Sequence, residues 1–201
     1  MINLGVKDSF LGSSNLKISR IILGNAFSNP RSSSRVFSQA LDFGVNTFDT
    51  SCNYKNGEYL LGRNLRKVQR DKVIVCTKFS SEIETKLTLS SNIRDENDKG
   101  WSRKLIYNSV HNSLKQLGTD YIDVLQVHHP FYSSGHSAKE MIITLDQLMT
   151  QGKIRYCGLS NMIPGQIINL SKLARLLLGP KGKELFYLIS YTPALYLKFL
   201  P

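Results

Sequence analysis

Apolar positions along the chain follow two alternating rhythms: short runs that are β-branched or almost continuously apolar, and longer stretches with an apolar residue every three or four positions. The short runs are Ile18–Gly24, Asn46–Thr50, Val73–Phe79, Tyr121–Val127 and Tyr156–Leu159, with Leu185–Ser190 as a candidate sixth. Val73–Phe79 and Tyr121–Val127 are nearly unbroken, as in a strand buried on both faces. The longer stretches predict helices over about Ser32–Phe43, Gly57–Val68, Ser102–Leu117, Ala138–Gln151 and from Pro164 to Gly179. Gly44, Gly118 and Gly152 stand where helices close, and Pro164 suits a first helical turn. Ser80–Gly100, rich in Ser, Asn, Asp and Glu, predicts a long loop. No low-complexity segment or linker divides the chain, so residues 1–201 are expected to form one domain.

Strands alternating with helices of 10–15 residues read as βαβ units around a parallel sheet. A doubly wound open sheet would call for a Gly-rich phosphate loop after the first strand, and Gly24-Asn25-Ala26-Phe27 is not G-x-G-x-x-G. Asp49, Lys78, His128 and Ser160 instead gather at the C-terminal ends of strands, where a barrel builds its site. The expected fold is therefore α/β, of (β/α)8 TIM-barrel type but incomplete, with about five βα units and the candidate sixth strand.

Composition narrows this reading. At 41% hydrophobic and 20% charged, the chain has globular rather than disordered proportions. Its net charge of +11 attracts anions of any kind. The tightest basic group, Arg63, Arg66, Lys67, Arg70 and Lys72, runs at helical spacing beside Leu60, Leu61 and Leu65 and reads as a solvated helix face; no nucleic-acid partner is expected. Cys52, Cys76 and Cys157 lack metal-ligand spacing, and an odd count argues against a disulfide framework. No metal is expected. Met1–Leu11 does not read as a signal peptide, and Pro193 and Lys198 interrupt the most apolar stretch, Leu185–Pro201. The expectation is a soluble cytoplasmic protein with no membrane partner.

Taken singly, the polar residues invite plain explanations: Asp49 as a turn cap, Tyr54 as a surface aromatic, Lys78 in an ion pair, His128 as a core histidine. Together they predict more. Three ionisable side chains follow apolar strands, and buried charges need partners. A tyrosine ordinarily holds its proton to about pH 10, and a cation within about 4–6 Å favours the phenolate. Lys78 beside Tyr54, with Asp49 holding the ammonium and His128 orienting a carbonyl, would make a general acid.

Several stretches resemble the aldo-keto reductases, in order along the chain. Leu11-Gly12-Ser13 and Leu16-Lys17-Ile18-Ser19-Arg20-Ile21-Ile22-Leu23-Gly24 are similar to that family's opening. Phe48-Asp49-Thr50-Ser51, with Tyr54 and Gly57-Glu58 beyond, is similar to its first signature, and Thr77-Lys78 to its lysine strand. The run from Ser113 through Leu117-Gly118-Thr119-Asp120-Tyr121-Ile122-Asp123 to Gln126-Val127-His128 is similar to the second signature. Gly152-Lys153-Ile154-Arg155-Tyr156-Cys157-Gly158-Leu159-Ser160-Asn161 resembles the fifth strand. The resemblance implies a (β/α)8 barrel reducing an aldehyde or ketone with NADPH. It implies Asp49, Tyr54, Lys78 and His128 as the catalytic tetrad, with His128 preferred over the adjacent His129. It also implies cofactor contacts from Gly24, Asp49, Ser160 and Asn161, the last two to the nicotinamide carboxamide.

Family members are longer, and their seventh and eighth strands grip the cofactor phosphates. Here Ile189-Ser190-Tyr191-Thr192-Pro193 is only loosely similar to the family's sixth strand. The expectation is a C-terminally truncated form whose open barrel edge favours self-association. Two rival readings follow: an inactive relic or regulatory binding module of the same fold, and a Schiff-base aldolase with Lys78 as nucleophile.

Overall fold

The computed structural model describes residues 5–25, 29–80, 100–130 and 135–190. Most of the expected Ser80–Gly100 loop, Ala26-Phe27 and Tyr191-Thr192-Pro193 lie outside these residues.

The first apolar run, Ile18–Gly24, is not one strand. It is divided between β2 (Lys17–Ser19), which pairs antiparallel with β1 (Asp8–Phe10), and β3 (Leu23–Gly24) of the main sheet. The break falls at Ser19, whose hydroxyl donates to the Ile21 carbonyl at 2.7 Å while its backbone N–H donates to Asn46 Oδ1 at 2.8 Å. Side-chain bonds of this kind divert the backbone from a ladder.

The main sheet holds six parallel strands in sequence order: β3, β4 (Thr47–Asp49), β5 (Ile74–Phe79), β6 (Ile122–Val127), β7 (Ile154–Ser160) and β8 (Phe186–Ser190). Helices α1 (Pro30–Asp42), α2 (Gly57–Leu65), α3 (Arg103–Leu117), α4 (Gly135–Thr150) and α5 (Pro164–Leu178) connect successive strands. A doubly wound sheet would reverse its strand order at a switch point; this one does not. The winding is that of a barrel, with the expected five βα units and sixth strand.

Local chemistry sets the helix ends. Asn29 caps α1 by accepting from Arg31 N–H at 2.8 Å, and Pro30 opens the helix, two residues before the expected Ser32. Ser102 caps α3 through Leu105 N–H at 3.2 Å, and Gly118 closes it with φ +63°. α2 stops at Leu65 rather than Val68, because Lys67 and Val68 N–H bond back three residues, to Asn64 and Leu65.

The two sheet faces differ. Outward residues such as Phe48, Val75 and Leu125 join Leu61, Leu105 and Met141 of the helices in the principal core. On the inner face Cys76 and Val124 pack with Leu11, Leu16 and Ile18, so the β1–β2 hairpin plugs the end where the strands begin. Near that end Asp123, buried on the helix side, binds Arg70 at 2.7 Å and Arg155 at 3.1 Å. Along the inner face the side chains turn from apolar at the strand starts to polar at the strand ends, where Lys78 and Gln126 stand in register.

Candidate active site

The polar mouth is built around Lys78. Five residues into β5, its side chain shares the inner face with Cys76 and is only 5% exposed. Nζ donates to the Asp49 carboxylate and, at 2.8 Å, to the Thr50 carbonyl. Asp49 ends β4, and its other oxygen accepts from Gln126 Nε2 at 3.0 Å. Burial pushes the Asp49 carboxyl above the usual carboxylate range, while Lys78 and Gln126 pull it back. An ammonium and a carboxylate so enclosed are tolerated because each meets the other and further hydrogen bonds.

Tyr54 arrives from the turn after β4. Tyr54 N–H donates to the Ser51 carbonyl at 3.0 Å, and Gly57 N–H to the Tyr54 carbonyl at 2.9 Å. Asn56 sits in the left-handed region, φ +60°. A β-carbon on Gly57 would lie 2.7 Å from both the Asn25 carbonyl and Thr50 Oγ1, so only glycine lets the turn close this tightly. The result places the Tyr54 ring centroid 5.2 Å from Lys78 Nζ.

His128 follows β6 and continues its ladder, N–H to the Phe79 carbonyl at 2.9 Å. It is 7% exposed, edge-on to Tyr54 at 5.8 Å between centroids and stacked on the exposed His129 at 4.2 Å. Nδ1 lies 3.1 Å from Ser51 Oγ. Burial lowers the imidazole pKa to about 4, helped by His129 and Lys78, so His128 is neutral at physiological pH.

Asp49, Tyr54, Lys78 and His128 thus meet at one end of the sheet. Ser160 is buried at the end of β7, and Asn161 follows it with φ +57°. Asn161 Nδ2 donates to the His128 carbonyl at 2.8 Å, so part of its amide is engaged within the protein. Gly24 ends β3, exposed and in register with Asp49. Two further participants escaped sequence reasoning. Gln126 lies two residues before His128, and the two-residue strand period alone would have put it on the inner face. Ser51 carried no signal beyond its place in the tyrosine motif. Among the described residues no group of three or more His, Cys, Asp or Glu could hold a metal ion.

Sequential parallel winding, with an ion-paired lysine, a tyrosine and a neutral histidine at the strand ends, defines a barrel-type protein with a polar mouth. Residues 11–179 match the Aldo/keto reductase family, and the chain belongs to it. It is 34% identical over 180 residues to an aldo-keto reductase of Alternaria alternata, covering 76% of this chain and 49% of that protein. An aldo-keto reductase of Metarhizium robertsii is 32% identical over 191 residues, covering 82% and 51%. The solved holo form of an aldo-keto reductase from Bacillus halodurans superposes with a TM-score of 0.70 at 28% identity, covering 83% of this chain and 54% of that one. The chain spans about half the length of these proteins.

Proposed function

We propose that this chain carries the proton-donating half of an NADPH-dependent reductase of aldehydes or ketones, with Tyr54 as the acid. The supporting observation is the ion-paired Lys78 ammonium 5.2 Å from the Tyr54 ring centroid, in a mouth shared with a neutral histidine. The donor set suits the nicotinamide end of a cofactor: the Ser160 hydroxyl and Asn161 amide match a carboxamide, and Asp49 a ribose hydroxyl. When bound, NADPH supplies the hydride that reaches the carbonyl carbon.

The remaining work belongs to the protein. A neutral His128 donates a hydrogen bond to the carbonyl oxygen and orients it without becoming charged. Tyr54 gives its hydroxyl proton to that oxygen, completing the alcohol, and recovers a proton from solvent. The Lys78 cation stabilises the negative charge left on the tyrosine oxygen, and Asp49, the Thr50 carbonyl and Gln126 hold the cation in place. Lys78 Nζ is engaged by the Asp49 carboxylate and the Thr50 carbonyl, rather than left open as the nucleophile that imine formation needs. The substrate class is a small-molecule carbonyl and the expected compartment the cytoplasm; neither nucleic acid nor membrane has a part in this reading. Among the described residues no helix is long and apolar enough to cross a membrane.

Where carbonyl reduction is found, Tyr54→Phe should lower it by about 10²–10⁴-fold, the usual share of a general acid, and leave NADPH affinity nearly unchanged. Lys78→Met should be severely impaired as well. Full turnover by Tyr54→Phe would exclude the acid role, and borohydride trapping of substrate on Lys78 would replace it with imine chemistry.

A further inference from the structure

We infer that Ser51 is a positioning residue that sets the tautomer of His128: its hydroxyl donates to Nδ1 and keeps the ring proton on Nε2, the nitrogen left free to donate to a substrate. The role of that free N–H rests on the reductase reading above; the tautomer itself does not.

The hydrogen bonds around Ser51 decide its direction. Asn53 N–H donates to Ser51 Oγ at 3.2 Å, so the oxygen is already an acceptor and its proton remains to be placed. His128 Nδ1 stands 3.1 Å away, and both side chains are buried. In the opposite arrangement Nδ1–H and Asn53 N–H would both donate to Oγ, and the serine proton would turn to the neighbouring Cys52 sulfur. That sulfur is a poor acceptor, since burial pushes the Cys52 thiol to about 11 and keeps it protonated. An imidazole nitrogen accepts far better than a thiol. A neutral ring has one donor and one acceptor nitrogen, and which is which follows from the partner of the other. The backbone of His128 is held by its N–H to Phe79 and by Asn161 on its carbonyl, and its buried ring lies edge-on to Tyr54 and stacked on His129, which limits its freedom to leave Ser51.

The test is the tautomer itself, read at pH 7 by long-range ¹H–¹⁵N correlation of the imidazoles in uniformly ¹⁵N-labelled protein. His128→Gln, by deleting one signal set, assigns His128 among the four histidines. The expected wild-type pattern is a pyrrole-type Nε2 and a pyridine-type Nδ1. Ser51→Ala should move both shifts toward the average of the two tautomers, with the other histidines unaffected. A wild-type ring protonated on Nδ1 overturns the inference whether or not the variant folds, as does a Ser51→Ala protein with unchanged His128 shifts. In turnover, Ser51→Ala should lower kcat by about 3- to 10-fold, the worth of one hydrogen bond, with NADPH affinity unchanged and Ser51→Thr restoring most of the loss. Full activity of Tyr54→Phe beside the expected tautomer would sink the reductase reading and spare Ser51. The reverse pair of results would do the opposite.

Discussion

Burial governs how the site residues titrate, and His128 is the clearest case. Its imidazole has a pKa of about 4 in the folded protein against 6.5 when unperturbed. Between these values the unfolded chain binds more protons than the folded one, so the contribution of His128 to stability is full above about pH 6.5 and is lost as pH falls toward 4. The charged and titratable groups facing it are Lys78 and His129, with Tyr54 edge-on and the uncharged Ser51 on Nδ1. Urea denaturation across that range should show a shallower acid loss for His128→Gln than for the wild type; parallel curves would mean that the ring is not held neutral by burial. The four residues of the mouth were legible in the sequence because each ends or closely follows an apolar run at a recognisable spacing. Ser51 was not, since a hydroxyl after such a run looks like an ordinary turn residue; the strand period puts Gln126 on the inner face, but only the register brings it to the Asp49 carboxylate.

At the scale of elements, the packing of α2 on α3 holds the tyrosine turn in place, since α2 begins at Gly57, directly after it. The contact is close because Gly62 carries no side chain: a β-carbon there would lie 2.5 Å from the Gln116 carbonyl and 2.6 Å from that of Leu117. Beneath it Glu58, buried with no ion pair among the described residues, accepts from Thr77 Oγ1 at 2.6 Å and bonds Ser113, which ties α2 to β5 and α3. Burial pushes the Glu58 carboxyl upward, while its hydrogen bonds to Thr77 and Ser113 pull it back. Gly62→Ala should destabilise the fold by about 1–3 kcal/mol, as overpacking commonly does, although alanine is the better helix former. A rise in the thermal midpoint would show instead that the two helices part at no cost. Helix positions were legible here because their apolar period is long and their ends carry caps. The β1–β2 hairpin was hidden, because Ile18–Gly24 reads as one short β-branched run, and the polar Ser19-Arg20 within it does not by itself announce that the strand breaks there.

For the molecule as a whole, the barrel winding was legible in the alternation of elements, whereas closure is a property of the ring and not of any one run. The described strands form a sheet whose first and last members are β3 and β8, each with one side lacking a neighbouring strand in that sheet. Of the residues proposed to meet the cofactor, Gly24, Ser160 and Asn161 are neutral and Asp49 is acidic. Neutral hydrogen bonds contribute about 0.5–1.5 kcal/mol each, and charge-assisted bonds to phosphate are roughly twice as strong. None of these four carries a positive charge, and none is proposed to reach a phosphate. The net charge of +11 adds an attraction that salt screens, and it does not place a nicotinamide. These 201 residues by themselves are therefore expected to bind NADPH weakly, with an affinity that falls steeply as salt is raised, and to self-associate through the edge strands. Fluorescence titration with NADPH at two salt concentrations, a carbonyl-reduction assay and sizing chromatography test this together. Micromolar, salt-insensitive binding and turnover by a monodisperse monomer would overturn it, and would mean that the six described strands already hold the phosphates through residues other than those named here.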